Sequence, residues 1–349
     1  MTNQFSHFKI GNKNQVFVIA EAGVNHNNKL SLAKKMIDIA SKAGADAIKF
    51  QTFSVDEIML KKSIKPFYQS QISKKSYYEI IKNLEPSFSQ QKKLFDYCKK
   101  KKILFLSTPY DKISVDFLNK LGVKAFKISS SDLTNHILLK YVLEKNKPIL
   151  LSTGLSTEDH VDKAISIIKK HKMLHKLTLL QTTSDYPSKN SEVNLRVIPY
   201  YAKKYGVNVG FSDHTEDYTA SLGAVALGAK VLEKHFTLSR KLSGPDQTSS
   251  LEPKELAEWI TKVRILESSL GTHKKLVTKS ESRNISMRKV LVIKPAIKNT
   301  VITIDHLRPM RSTKNGILPL EENLKKILGK KLNKNISKQS QFSWKMIKN

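Results

Sequence analysis

Short apolar runs rich in aliphatic and β-branched residues alternate with amphipathic stretches eight times within residues 16–271. Runs of this length predict buried strands, and the stretches between them have the period of helices. The predicted strands are Val16–Ala20, Ala47–Phe50, Ile103–Leu106, Ala125–Ile128, Pro148–Leu151, Leu177–Gln181, Val207–Phe211 and Val231–Lys234. The predicted helices include Ser31–Ser41, Gln90–Lys100, Val115–Leu121, Thr157–Lys170, Tyr218–Leu227 and Pro253–Leu270.

This alternation favours an α/β fold of the (β/α)₈ TIM-barrel type, which needs about 250 residues. An open doubly wound sheet is the alternative, but no Gly-rich dinucleotide motif follows any predicted strand. We therefore expect a barrel domain over residues 1–271 and a lysine-rich linker over 272–286. A small β-rich domain over 287–349 is predicted to follow, because an apolar run begins at Lys289.

Polar residues follow the predicted strands at the end where a barrel carries its chemistry. A single Ser or Thr there could simply cap the next helix. Lys49 and Lys127 are harder to explain in that way, because both are embedded in apolar strand ends. Either one alone could be a snorkelling side chain. As a pair on one rim, they favour a pocket for a phosphate or carboxylate.

Two histidines, His214 and His235, follow the last two predicted strands. A lone histidine at a strand end is commonly structural, and two protein ligands are too few for a closed zinc site. A two-histidine site completed by water and substrate could still act as a Lewis acid on a carbonyl. The ligand type leaves Mn²⁺, Mg²⁺ or another divalent ion open.

Several motifs in order along the chain resemble the sialic acid synthase family. This family comprises the N-acetylneuraminate, N,N'-diacetyllegionaminate and other nonulosonate synthases. The motifs are VIAEAGVNHN at 18–27, AIKFQT at 47–52, LSTP at 106–109, LSTG at 151–154, YP at 186–187, GFSDHT at 210–215, EKHFT at 233–237 and SGPD at 243–246. The resemblance implies a transferase that condenses phosphoenolpyruvate with an N-acetylated mannosamine-type sugar and water. The products would be a nine-carbon 2-keto sugar acid and phosphate, and Mn²⁺ is the expected metal.

The resemblance also implies roles for individual residues. Those expected to bind phosphoenolpyruvate are Lys49, Thr108, Lys127, Ser130, Ser152, Ser184 and Ser212. His214 and His235 would hold the metal and take part in catalysis. Glu21 is expected either to assist proton transfers or to pair with Lys49 or Lys127. The residues expected to orient the sugar are Gln51, Tyr186, Asp246 and Arg311.

The C-terminal region is similar to the antifreeze-like SAF domain of the same family. In family members that domain reaches across a domain-swapped homodimer and places an arginine over the partner's barrel. Arg311 is the candidate here, and Arg308 is its rival because the spacing around Arg311 departs from the family pattern. Ser131 and Asp132 also depart from the pattern, since they stand where the family usually has Gly and Glu, and the shorter acid should be drawn towards the backbone. Ser184 and Asp185 replace an amide that commonly precedes Tyr186.

Two features bear on the choice of substrate and partner. Residues 243–253 are similar to neuraminate and legionaminate synthases and unlike pseudaminate synthases, and they do not separate the first two. The net charge of +31 would suggest a nucleic-acid or membrane partner. However, the excess is mainly lysine, is spread along the chain and lacks a nucleic-acid-binding motif. We therefore expect neither partner.

The remaining expectations concern location and alternative functions. The sequence has no signal-peptide pattern and no apolar stretch of membrane-spanning length, so we expect a cytoplasmic protein. A barrel aldolase that forms a Schiff base on Lys127 or Lys49 is the competing enzyme. A non-catalytic basic binding or scaffold protein is the alternative outside enzymes.

Overall fold

The computed structural model describes residues 15–66, 76–312 and 315–347 and divides the chain into two units. These are Met1–Gly271 and Thr272–Asn349. Among the residues described, no helix is both long enough and apolar enough to cross a bilayer.

Eight parallel strands form the sheet of the first unit. They are β1 (Phe17–Gly23), β2 (Ala47–Thr52), β3 (Leu104–Pro109), β4 (Phe126–Ile128), β5 (Ile149–Ser152), β6 (Leu177–Thr182), β7 (Asn208–Asp213) and β8 (Val231–His235). The helices are α1 (Leu30–Ala43), α2 (Val55–Ile58), α3 (Tyr77–Leu84), α4 (Phe88–Lys101), α5 (Lys112–Leu121), α6 (His136–Leu143), α7 (Glu158–Lys170), α8 (Val197–Tyr205), α9 (Thr219–Ala226) and α10 (Pro253–Leu270). The predicted α/β barrel is confirmed.

The hydrogen-bonded strand order is β3-β2-β1-β8-β7-β6-β5-β4, and β3 and β4 lie against each other to bring the sheet round into a barrel. In this arrangement β1 has β2 on one side and β8 on the other. Glu21 is thereby in register with both Lys49 and His235. Because side chains alternate across a strand, residues two apart on β8 point to the same side.

All eight predicted strands are present, and seven of them continue beyond their predicted ends by one to three residues. The added residues are mostly polar, such as Glu21 on β1 and Asp213 on β7. A search for apolar runs ends at the first polar residue. The parallel ladder continues because these polar side chains find buried partners on either face of the sheet, as Glu21 does with Lys49 and Asp213 with Lys234. Helix α10 matches its prediction residue for residue, with proline in its first turn and Gly271 after its last residue.

The second unit is built around a three-stranded antiparallel sheet in the order β10-β9-β11. Its elements are α11 (Lys279–Ser282), β9 (Lys289–Ile293), β10 (Leu307–Arg311), α12 (Glu321–Ile327) and β11 (Ser340–Gln341). Its core includes Leu291, Ile293, Ile302, Leu307, Ile327, Leu332, Ile336 and Phe342. The predicted linker contains the short helix α11. Arg308 and Arg311 lie on β10, and both are exposed.

Candidate active site

A cavity of about 510 Å³ opens at the carboxyl ends of the barrel strands. The predicted site residues that line it are Glu21, Lys49, Gln51, Thr108, Lys127, Ser130, Ser152, Ser184, Tyr186, Ser212, His214, His235 and Asp246. Arg311 lies in the second unit. The barrel therefore brings together side chains that are up to 225 residues apart in the chain, the separation between Glu21 and Asp246.

A cluster of buried charges forms the floor of this cavity. Lys49 Nζ lies 2.9 Å from Glu21 Oε1 and 3.6 Å from Glu233 Oε2. Lys127 Nζ lies 3.2 Å from Glu233 Oε1, and the Ser212 hydroxyl donates to the same oxygen at 2.9 Å. All four charged side chains are at most 5% exposed. The lysines therefore do not depend on a ligand for all of their counter-charge, because Glu21 and Glu233 already provide part of it.

The two lysines differ electrostatically. Burial alone would lower the pKa of Lys49, but the carboxylates of Glu21 and Glu233 outweigh it and raise that pKa. Burial lowers the pKa of Lys127, and attraction to Glu233 offsets this only in part. An incoming anion would stabilise the charged form of Lys127 in particular.

Glu233 is a cavity residue that sequence reasoning did not select. Burial would raise its pKa, but Lys127 and Lys49 together lower it to about 2. Glu233 therefore stays ionised and holds both ammonium groups in place. The signal in the sequence was its spacing from His235, because two residues apart on a strand means the same face.

Both interpretations of Glu21 have support in the geometry. One carboxylate oxygen pairs with Lys49, while the buried Oε2 finds no hydrogen-bond partner among the described residues. Burial raises the pKa of Glu21 to about 7, against the opposing charge of Lys49. Glu21 is thus a paired carboxyl that can also exchange a proton near neutral pH.

Hydroxyl groups gather above the lysines around Gly154. The Gly154 amide donates to Ser130 Oγ at 3.1 Å. A Cβ atom at Gly154 would lie 2.2 Å from Ser184 Oγ and 2.8 Å from Ser130 Oγ, so any larger residue there would force these two hydroxyls to move. Ser152 Oγ is buried and has no hydrogen-bond partner within the described part of the chain. These groups can therefore donate to an anion in the cavity.

His214 and His235 lie next to each other, with ring centroids 5.5 Å apart. Tyr186 packs against both rings, at 4.2 Å from His214 and 5.7 Å from His235. His214 Nδ1 is 2.7 Å from the carbonyl oxygen of Thr183 and, as the donor there, leaves Nε2 with a free lone pair. Burial lowers the pKa of His214 to about 4 and that of His235 well below its usual value. Both rings are neutral at physiological pH.

These properties fit a divalent ion that takes two neutral imidazoles. His235 Nδ1 is buried without a hydrogen-bond partner among the residues described. Within the same described ranges, no group of three or more His, Cys, Asp or Glu side chains could enclose a metal ion. A metal held here would therefore take its other ligands from water and substrate, which keeps those positions open to exchange.

Gln51 and Asp246 converge with Glu21 beside Gly23. An ideal Cβ at Gly23 would lie 3.4 Å from Glu21 Oε1, 3.6 Å from Gln51 Nε2 and 3.8 Å from Asp246 Oδ2. Burial raises the pKa of Asp246 to about 6, and Lys49 opposes that rise. This cluster provides donors and acceptors for a polyhydroxylated ligand next to the charged floor.

The Asp132 carboxylate is held by side chains of its own loop. Its carboxylate accepts from Ser129 Oγ at 2.6 Å and from Asn135 Nδ2 at 3.0 Å. Ser129, Ser130 and Ser131 line the cavity in its place. At this point the cavity wall presents hydroxyls and not a carboxylate.

Comparisons of the sequence and of the fold with known proteins identify the family of this chain. The NeuB family model matches residues 36–275. N,N'-diacetyllegionaminic acid synthase of Campylobacter jejuni is 42% identical over 322 residues, covering 90% of this chain and 96% of that protein. Human N-acetylneuraminate-9-phosphate synthase is 36% identical, with 93% of this chain and 90% of that protein covered. The structure of N-acetylneuraminic acid (sialic acid) synthetase from Leptospira borgpetersenii superposes with a TM-score of 0.70 at 35% identity, covering 80% of this chain and 95% of that one.

Proposed function

This chain belongs to the NeuB family, and we propose that it is a nonulosonic (sialic) acid synthase. The proposed reaction condenses phosphoenolpyruvate with an N-acetylmannosamine-type sugar and water. It yields N-acetylneuraminate or N,N'-diacetyllegionaminate together with phosphate. One observation carries the proposal: Lys49 and Lys127 share a single cavity with two neutral imidazoles.

The charged floor is suited to phosphoenolpyruvate. The phosphate and carboxylate of this substrate would bind Lys49 and Lys127, with hydroxyl donors around them. Those donors are Thr108, Ser130, Ser152 and Ser184. Ser212 would join them by turning its hydroxyl away from Glu233, to which it donates in this structure. Because the two lysines are buried, their interaction with a multiply charged anion is screened far less than at a surface. Glu233 would keep both ammonium groups oriented while the substrate enters.

A divalent ion, for which we propose Mn²⁺, would be held by His214 and His235. When bound, it would polarise the aldehyde oxygen of the open-chain sugar. The Thr183 carbonyl fixes the ring of His214, and Tyr186 packs against both imidazoles. Gln51, Asp246 and Tyr186 would bind the hydroxyl and acetamido groups of the sugar.

The proposed carbon–carbon bond forms between the methylene carbon of phosphoenolpyruvate and the aldehyde carbon. The electron pair of the enol double bond makes the new bond, and the aldehyde oxygen takes up a proton. Water then adds to the cationic C2, releasing a proton, and phosphate leaves as the ketone forms. Glu21 is the proposed proton carrier, because its pKa of about 7 allows it both to accept and to donate.

The proposal extends to a homodimer with an SAF-type second unit. In such a dimer Arg311 of one subunit would contact the sugar bound to the other subunit. Arg311→Ala should raise the KM for the sugar with little change in the KM for phosphoenolpyruvate. Arg308→Ala is the matched comparison, and a larger effect at Arg308 would transfer the role to that residue.

Phosphate release from phosphoenolpyruvate tests the proposed reaction. The protein, loaded with Mn²⁺, is offered N-acetylmannosamine or 2,4-diacetamido-2,4,6-trideoxymannose, and the product is identified by mass. Sugar-dependent release of phosphate with formation of a nine-carbon acid supports the proposal. Folded protein that releases no phosphate with either sugar would refute it.

A Schiff-base aldolase is the second candidate, because the lowered pKa of buried Lys127 is also what an amine nucleophile needs. Borohydride reduction in the presence of pyruvate separates the two reactions. A stable adduct on Lys127 would favour the aldolase. Absence of any adduct, with phosphate release intact, favours the synthase.

A further inference from the structure

Asp246 lines the cavity although it lies on a loop. Residues 243–250, between β8 and α10, form no helix or strand. Within the described ranges, no group donates a hydrogen bond to the Asp246 carboxylate, which is nevertheless buried. A carboxylate without a partner of its own holds one position only if the chain that carries it is anchored. The location of Asp246 therefore depends on the hydrogen bonds of its loop.

The end of this loop is fixed to β8 by backbone hydrogen bonds. The Leu251 amide donates to the carbonyl oxygen of His235 at 2.9 Å, and the Thr237 amide donates to the carbonyl oxygen of Leu251 at 2.9 Å. These bonds place the residues just before α10. Asp246 lies several residues earlier, so its position needs a further anchor.

Asn25, in the loop after β1, provides that anchor and is completely buried. Its side-chain amide donates to the Ser250 hydroxyl at 2.9 Å, and that hydroxyl donates to the Asp246 carbonyl oxygen at 2.5 Å. The backbone carbonyl of Asn25 accepts a hydrogen bond from Gln247 Nε2 at 2.9 Å. Asn25 is thus connected to the backbone of Asp246 and to the residue that follows it. We call the chain of bonds from Asn25 through Ser250 to Asp246 the relay.

The same asparagine is tied to the strand ends that carry other cavity residues. The Asn25 amide also donates to the carbonyl oxygen of Phe236 at 2.9 Å, and Phe236 directly follows His235. The Phe236 amide donates to the carbonyl oxygen of Glu21 at 2.9 Å. One buried amide therefore fixes the loop of Asp246 relative to both β1 and β8. Hydrogen bonds in such a buried network are stronger than they would be in water.

Two more hydrogen bonds hold other points of the loop. Asn27 Nδ2 donates to the Ser243 carbonyl oxygen at 2.8 Å, and the Thr237 hydroxyl donates to Gln247 Oε1. Neither bond reaches Asp246. Among the described residues, the Ser250 hydroxyl is the one group that bonds to the Asp246 backbone.

The relay joins a residue outside the cavity lining to one inside it, because Asp246 lines the cavity and Asn25 does not. We infer that Asn25 is a positioning residue that acts through Ser250 to hold the Asp246 carboxylate where the sugar binds. The inference rests on the proposed function, in which Asp246 binds the sugar. The lysines of the charged floor are held separately by their own carboxylates. Loss of the relay should therefore affect the sugar and spare phosphoenolpyruvate.

Ser250→Ala tests the relay by removing a single hydroxyl from its middle. With whichever sugar supports phosphate release, kcat/KM for the sugar should fall by at least about tenfold, with little change in the KM for phosphoenolpyruvate. This is the order of effect expected when buried hydrogen-bonding groups lose their partner. Ser249→Ala makes the same change at the adjacent, partly exposed serine and should alter neither value. An unchanged kcat/KM in Ser250→Ala, equal losses for both substrates, or the same loss in Ser249→Ala would overturn the inference.

Asn25→Ala tests the first residue of the relay. It should produce the same loss confined to the sugar, and adding Ser250→Ala should lower kcat/KM no further, because both changes break one chain of bonds. Losses that multiply in the double variant would show that the two residues act separately and would overturn the inference. If Asn25→Ala does not fold, Ser250→Ala and its control still decide.

The Asp246 carboxyl provides a readout that does not need turnover. Burial raises its pKa to about 6, and a carboxyl displaced into water should titrate closer to an ordinary aspartate. The ionisable groups that face it, all retained in these variants, are Glu21, Lys49, Tyr77 and Tyr110.

Carbon-13 NMR of labelled aspartate measures this pKa, with Asp246→Asn to assign the signal. We expect the pKa to fall in Ser250→Ala and to stay unchanged in Ser249→Ala. If the wild type releases no phosphate with either sugar, the proposed function is refuted and this titration decides the inference. An Asp246 pKa that is the same in Ser250→Ala and the wild type would then overturn it.

Discussion

Lys234 Nζ lies 3.2 Å from Asp213 Oδ1, and neither side chain is more than 2% exposed. The two residues are paired across β7 and β8. In the sequence, Asp213 lies between the cavity residues Ser212 and His214. Lys234 lies between the cavity residues Glu233 and His235. Because side chains alternate, this ion pair lies on the opposite face from the cavity. It holds together the two strand ends that carry both histidines.

Removing one partner of this pair should be strongly destabilising. Lys234→Met leaves the Asp213 carboxylate buried without its cation, which should lower the free energy of unfolding by about 3–5 kcal/mol. The double variant Lys234→Met with Asp213→Asn should recover much of that loss, because no uncompensated charge remains. Urea denaturation measures both values. A single variant within about 1 kcal/mol of the wild type would contradict this account.

Lys127→Met should impair phosphoenolpyruvate binding. A hydrogen bond from a charged group is worth about 1.5–3 kcal/mol, so kcat/KM for phosphoenolpyruvate should fall by about 10–150-fold. Lys189→Met is the control, because that side chain is 76% exposed. Initial rates of phosphate release give both values. Similar rates in the two variants would exclude Lys127 from the anion site.

His235→Ala should weaken Mn²⁺ binding by at least about a hundredfold, since loss of even an outer-shell partner can cost that much. Metal affinity can be measured by electron paramagnetic resonance of free Mn²⁺, independently of turnover. His171→Ala is the matched control, because His171 is exposed and its Nδ1 lies 2.9 Å from the carbonyl oxygen of Ile167 in the preceding helix. Unchanged Mn²⁺ affinity in His235→Ala would remove the metal assignment.

Gly154→Ala should damage the hydroxyl cluster with a limited effect on folding. The added methyl would displace Ser130 and Ser184, whose hydroxyl oxygens come within 3 Å of it. A displacement of about 1 Å in a binding group can lower kcat/KM about a hundredfold. Gly206→Ala introduces a methyl at a helix end where no described atom lies within 4 Å, so it tests for a general effect of replacing a glycine without a steric clash. Comparable kinetic losses in both variants would contradict the steric explanation.

Asp246 should make stability depend on pH. Its pKa is raised from 3.8 to about 6 by burial, so the folded state favours the protonated form. This contribution is complete below about pH 4 and is lost as the pH rises through 6, a change of about 3 kcal/mol. Between pH 4 and 7, the free energy of unfolding of the wild type should therefore fall by most of that amount relative to the free energy of unfolding of Asp246→Asn. A constant difference across this range would show that Asp246 titrates alike in both states.

Much of the barrel and its site could be predicted from local pattern. Apolar runs revealed all eight strands, because a strand buried on both faces must be apolar along most of its length. Polar residues at the strand ends then identified the cavity, since parallel strands bring those ends to one rim. Lys49, Lys127, His214 and His235 were found in this way.

The pairing of the buried charges in the cavity could not be predicted in the same way. Glu233 was not selected, although it contacts both lysines, because its role depends on β8 facing β2 and β4 across the barrel interior.

The sequence by itself determined the strands, the helices and the residue types available at the rim, because hydrophobic period and strand polarity are local properties. Only the tertiary structure decided which charges neutralise each other and which histidine nitrogen stays free. Those outcomes depend on distances of a few ångströms between distant parts of the chain. Electrostatic and hydrogen-bonding energies change steeply over such distances.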